Sequence, residues 1–152
     1  MRLLLTSITI FLTACSSTPA TQLTPLELQS LQSRDYDTTK QIAFAATMSV
    51  FQDLSYTVEA ADLDTGLITA SSNAQSKRAW FLSQDYQTTQ TRATAFVEEI
   101  SPGSSRIRLN FVAGKLTSFE LGSERKTDNQ ILDPATYQAA FEKIETAIFV
   151  RQ

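Results

Sequence analysis

Histidine is absent from all 152 residues, and the chain has a single cysteine, Cys15. The first absence removes the usual general base near neutral pH and the commonest metal ligand. The second excludes an internal disulfide and a thiolate metal cluster. Glycine is scarce too: four residues scattered along the chain cannot build a glycine-rich phosphate loop. Charge is modest, with 13 Lys and Arg against 16 Asp and Glu, net −3. Arg2 is the only charged residue among the first 14, so the remainder carries 12 basic against 16 acidic side chains, net −4. A mildly acidic domain has no broad attraction for nucleic acid or anionic lipid, and neither is expected as a partner.

What is present is ordinary for a globular protein. Hydrophobic residues make up 42% and charged residues 19%, enough apolar side chains for one domain with a real core.

Residues 1–14 stand apart. A basic start at Arg2 is followed by about ten mostly apolar residues, Leu3 to Leu12, a length that suits a signal-peptide core and is too short to span a bilayer. Leu12-Thr13-Ala14-Cys15 then looks like a lipobox, which needs a small residue before the cleaved bond and a thiol to carry diacylglycerol. The expectation is a signal peptide over 1–14, export through a Sec-type pathway, lipidation of Cys15 with palmitate-class acyl chains, and a lipidated tether over 15–23. Ser16 follows the cysteine, whereas in enterobacterial lipoproteins an aspartate there favours inner-membrane retention. That resemblance implies the outer membrane.

The rest, 24–152, is expected to be one α+β domain. Thr24-Pro25-Leu26-Glu27 has the form of a capping box with proline in the first turn, so a short helix should follow, with Leu28 and Leu31 toward the domain. Arg34 to Tyr36 suggests a short strand. Thr38-Thr39-Lys40-Gln41 is a second candidate box, opening a helix to about Leu54 with Phe44, Thr47, Met48, Phe51 and Leu54 as its buried stripe. Tyr56 to Ala61 alternate as a strand, Asp62-Leu63-Asp64-Thr65-Gly66 make a turn, and Leu67 to Ser72 return as a hairpin. The aspartates of that turn fit backbone needs better than calcium, since the loop is too short for an EF-hand and lacks its distal Glu.

Residues 73–91 are expected to form a loop or short helix that tucks Trp80 onto the sheet. The alternative makes its basic and aromatic cluster, Lys77, Arg78, Trp80 and Phe81, the candidate interface, a tip facing a membrane or partner, because exposed rings beside cations suit such contact. Arg92 to Ile100 alternate again, with Ala93, Ala95 and Val97 on one side. After a Ser101-Pro102-Gly103-Ser104 turn, Ile107, Leu109 and Phe111 do the same, in a strand that continues past Gly114 with a bulge. Gly122 to Gln130 is polar and is expected to be a flexible loop. Asp133 and Pro134 then open the clearest element, with Leu132 stapling onto Tyr137 and a stripe of Tyr137, Ala140, Phe141, Ile144, Ala147 and Ile148. The order is β-α-β-β-β-β-α, a four- or five-stranded antiparallel sheet with two helices on one face.

Two stretches carry a family resemblance. One runs from Ser33-Arg34-Asp35-Tyr36-Asp37-Thr38 through Val50-Phe51-Gln52-Asp53-Leu54 to Asp64-Thr65-Gly66-Leu67-Ile68-Thr69-Ala70. The other is Asp133-Pro134-Ala135-Thr136-Tyr137-Gln138 with Phe141-Glu142-Lys143-Ile144 and Phe149. Together they resemble a family of small bacterial lipoproteins without an assigned activity, which usually has glycine where this chain has Ser55. The element order is also similar to the helix-grip domains of BamC, a lipoprotein of the β-barrel assembly machinery. Neither resemblance brings catalytic residues.

No catalytic, cofactor or metal site is expected, and the chain is not read as an enzyme. Glu98 and Glu99 point to opposite faces of a strand, Ser76 and Lys77 are adjacent rather than helically spaced, and of Asp35 and Asp37 one is explained by a helix cap. The expectation is a non-enzymatic scaffold or interaction lipoprotein with an envelope protein partner. The alternative is a periplasmic carrier holding a lipid, peptide or glycan between sheet and C-terminal helix, near Phe96, Phe111, Tyr137 and Phe141.

Overall fold

The computed structural model describes residues 23–78, 85–119 and 122–152. Residues 1–14, expected to be a signal peptide, and Cys15, Trp80 and Phe81 therefore lie outside the described residues.

Side-chain caps set where the helices start. In α1 (Pro25–Gln32) the Thr24 hydroxyl accepts the Glu27 N–H at 3.3 Å while Glu27 Oε2 accepts the Thr24 N–H at 2.8 Å, the expected reciprocal box. Helix α2 (Lys40–Asp53) is capped one residue later than expected: Thr39, not Thr38, accepts the Ile42 N–H. Thr38 is buried and its carbonyl receives the Ser105 hydroxyl at 2.8 Å, which ties it to the sheet and keeps it out of a box with Gln41. Helix α3 (Pro134–Phe149) starts as expected, with the Asp133 carboxylate accepting the Ala135 and Thr136 N–H groups. The expected staple is replaced: Leu132 stays exposed, and Ile131 packs on the core instead.

Among the described residues seven antiparallel strands form one sheet: β1 (Ser33–Tyr36), β2 (Tyr56–Asp62), β3 (Leu67–Ser72), β4 (Gln75–Arg78), β5 (Tyr86–Ser101), β6 (Ser104–Ser118) and β7 (Glu124–Gln130). The path β1-β6-β5-β3-β2 is the anticipated five-stranded sheet, with α2 and α3 on one face. Strands β4 and β7 enlarge it, pairing with β5 and β6 where a loop or short helix and a flexible loop were expected. Both are exposed at every position, so no apolar alternation marks them; backbone pairing holds them, with cross-strand polar contacts such as Ser76–Thr88 and Gln130–Asn110 beside it. Gly114 needs no bulge; it sits in continuous register between Gln90 and Asp128. Bulges occur instead at Glu59 and between Glu99 and Ser101.

The core follows the alternation. Ile68, Ala70, Ala93, Ala95, Val97, Ile107, Leu109 and Phe111 project from the sheet toward Phe44, Val50 and Phe51 of α2 and Tyr137, Phe141 and Ile144 of α3, all buried. Met48 and Leu54 are half-buried at its margin, while Ala43 and Ala46 face inward. Alanines on both sides of this layer let α2 approach β5 closely.

Tyr137 closes a gap in the sheet. Along β6, pairing with β1 ends at Arg108 and pairing with β7 begins at Val112. The Tyr137 hydroxyl fills the interval, accepting the buried Phe111 N–H at 3.4 Å and the Gln32 amide at 3.3 Å and donating to the Ile131 carbonyl at 3.0 Å. Tyr137→Phe keeps the ring and orphans these groups. It should cost about 1–3 kcal/mol in urea unfolding. An unchanged midpoint would mean water takes over.

Ser55, just past α2, has φ 63°, in the left-handed region that favours glycine. Ser55→Gly should therefore stabilise the domain, by about 1 kcal/mol in the same assay. A loss of stability would show that the hydroxyl matters more than the backbone.

Candidate functional site

Strands β5 and β6 outrun the helices. The last row fully inside the core pairs Ala93 with Phe111; beyond it β5 and β6, flanked by β4 and β7, form a four-stranded wing. Side-chain phase runs unbroken into the wing, so each residue's face follows from the register. The face continuous with the core carries Thr91, Ala113 and Asn129, then Gln75, Thr89, Lys115 and Thr127, then Lys77, Gln87, Thr117 and Arg125. The opposite face carries Arg92, Val112 and Gln130, then Gln90, Gly114 and Asp128, then Ser76, Thr88, Leu116 and Lys126, then Arg78, Tyr86, Ser118 and Glu124.

This placement divides the candidate interface. Lys77 and Arg78 are both exposed on β4, but neighbouring strand residues point apart, so they do not form one cationic patch. The Arg78 guanidinium lies 5.9 Å from the centre of the Tyr86 ring on the outer face. Trp80 and Phe81, like Cys15, fall outside the described residues. Ser76 and Lys77 are likewise divided, and the Ser76 hydroxyl is 2.8 Å from that of Thr88.

Of the acidic residues that could carry chemistry, Asp35 and Asp62 have structural partners. Asp35 takes a bidentate pair from Arg106 at 2.7 and 2.8 Å, which holds its carboxyl below the usual range. No cap explains Asp37, since Thr39 performs that task. Asp62 Oδ1 accepts the Asp64 and Thr65 N–H groups, and Lys40 Nζ donates to the Asp64 carbonyl at 2.9 Å. That turn uses aspartate for its backbone. Tyr36 donates to the Phe141 carbonyl, and burial pushes its phenol up to about 12. Among the described residues no three acidic side chains converge as a metal site would require, and no helix is long and apolar enough to cross a membrane.

Concavities are shallow. One of about 200 Å³ lies over Gly114, between Gln90, Arg92, Leu116, Lys126 and Asp128 on the outer face of the wing. Between the sheet and the two helices, the rings fill the space: Phe111 packs edge-on against Tyr137 of α3 at 5.3 Å and against Phe51 of α2 at 6.5 Å. Phe96, expected beside them, is 39% exposed on the far face, because it alternates with buried Ala95 and Val97. The expected groove thus loses one lining ring, and its other rings are core.

The described chain is thus an α+β domain, an open antiparallel sheet with helices on one face and a polar wing. No family model matches it, and no curated protein does. Among solved structures it is similar to a DUF4468 family protein from Bacteroides ovatus ATCC 8483, at 12% identity and a TM-score of 0.37, over 76% of this chain and 84% of that one. A likeness of that degree assigns neither fold nor function.

Proposed function

We propose that this chain is a lipid-anchored protein of the bacterial envelope, attached through Cys15, whose domain acts by protein contact rather than catalysis. One observation carries the proposal: Leu12-Thr13-Ala14-Cys15 directly follows a basic start and an apolar run of signal-peptide length. Lipidation there would supply several acyl chains at about 0.8 kcal/mol per buried methylene, enough to hold the domain at a membrane without help. Serine rather than aspartate after the cysteine favours the outer membrane. The resemblance to small bacterial lipoproteins supports the same reading.

The domain's polar groups support contact over chemistry. Asp35, Asp62 and Asp133 each serve an ion pair, a turn or a cap. Cys15→Ala tests the anchor directly. The variant should stay unprocessed or leave the membrane fraction; the wild-type distribution with normal processing would overturn the proposal. Cross-linking in intact cells should then return an envelope protein, and repeated failure to do so would count against the scaffold role.

A further inference from the structure

The chain's net negative charge conceals a local excess of the other sign. On the core-side face of the wing stand Lys77, Lys115 and Arg125, all exposed, with no carboxylate in any of the three rows. The wing's strand acids, Glu124 and Asp128, are in phase with the outer face. The three cations come from three strands: Lys77 and Arg125 end one row, and Lys115 stands in the next. Between them the face is Thr, Gln and Asn, with Ala113 as its one apolar side chain. At the tip the Arg125 guanidinium lies 5.9 Å from the centre of the Phe119 ring.

We propose that this face docks the domain onto an anionic lipid headgroup layer. Protein interfaces concentrate aromatic residues and arginine and are depleted in lysine at their centre. Here two of three cations are lysines, and no ring lies between them. Dispersed charges on flexible stems, over a flat hydroxyl and amide surface, suit a diffuse layer of phosphates better than a shaped partner. The proposal rests on anchoring through Cys15, which supplies proximity. A body already held at the bilayer loses little further freedom on docking, so three cations suffice to orient it. Sequence-level net charge argues against anionic lipid, but it averages over a face that the register segregates.

The test uses the full lipidated chain, reconstituted into vesicles of phosphatidylcholine alone or with phosphatidylglycerol. Because Cys15 is the sole cysteine and is consumed by the anchor, a fluorophore can be placed at Thr127→Cys on the face or at Gly103→Cys in the β5–β6 turn at the other end of the hairpin. With phosphatidylglycerol, the Thr127→Cys probe should be quenched by spin-labelled headgroups, more than the Gly103→Cys probe, and added salt should reverse this. Lys115→Gln should lower the docking equilibrium about fivefold, and Lys115→Gln with Arg125→Gln about 25-fold. Thermal unfolding of these variants should match the parent, since both positions are exposed. Equal quenching with and without phosphatidylglycerol, or indifference to both substitutions, would overturn the proposal. So would protection of Thr127→Cys in native envelopes but in neither vesicle, which would assign the face to an acidic protein. Failure of the chain to enter vesicles at all would instead sink the anchor.

Discussion

Phe141→Ala is expected to lower the unfolding free energy by about 3–5 kcal/mol, measured by urea denaturation. The ring is 1% exposed and sits mid-stripe on α3, the helix that covers β6 and β1. Its removal leaves a void that rigid neighbours cannot close, because they belong to two layers fixed by their own hydrogen bonds. The Arg34 guanidinium, 4.9 Å from the ring centre, would also lose its aromatic platform. Phe149, seven-tenths or more exposed at the end of the same helix, supplies the control. Phe149→Ala should change stability by less than about 0.5 kcal/mol. Equal effects at the two positions would mean that α3 lies on the sheet by another face.

Gly66→Ala should be comparably damaging, for a backbone reason. Gly66 closes the β2–β3 turn with φ 78°, and an added Cβ would fall on the carbonyl oxygen of Val97 and crowd Lys40 Cε at 3.2 Å. The backbone cannot move away, since the Gly66 carbonyl accepts the Val97 N–H at 2.8 Å and its own N–H binds the Asp62 carbonyl at 2.9 Å. A left-handed penalty of about 1–2 kcal/mol thus adds to overpacking of about 1–3 kcal/mol. Gly103 has nearly the same φ, 79°, but nothing within 4 Å of a new Cβ. Gly103→Ala should show the first cost without the second. If both variants lose the same stability, the close approach of the hairpin to β5 is not as described.

These contrasts indicate which features the sequence could disclose. Elements with one wet and one dry side were legible: the α3 stripe, the inward Ala93, Ala95 and Val97, and the Asp62–Gly66 turn all sit where periodicity and turn chemistry put them. Strands β4 and β7 were not, because Gln75–Arg78 and Glu124–Gln130 bury nothing and are defined by a neighbour's backbone. The Thr and Gln run from Tyr86 to Thr91 did hold a signal, since β-branched residues favour strands, but no apolar partner residue revealed its phase. The cationic face was hidden because Lys77, Lys115 and Arg125 are far apart in the chain and share a face only through register. Phe96 shows the opposite failure, an aromatic side chain assigned to the interior by composition and turned outward by its strand phase. At Ser55 the positive φ marks a strained helix end rather than a site.

Intact-mass and N-terminal peptide analysis of the protein purified from membranes would test the anchor most directly. The account predicts a chain that begins at Cys15, its sulfur in thioether linkage to diacylglycerol. Residues 1–14 still attached, or a free thiol at Cys15, would contradict it.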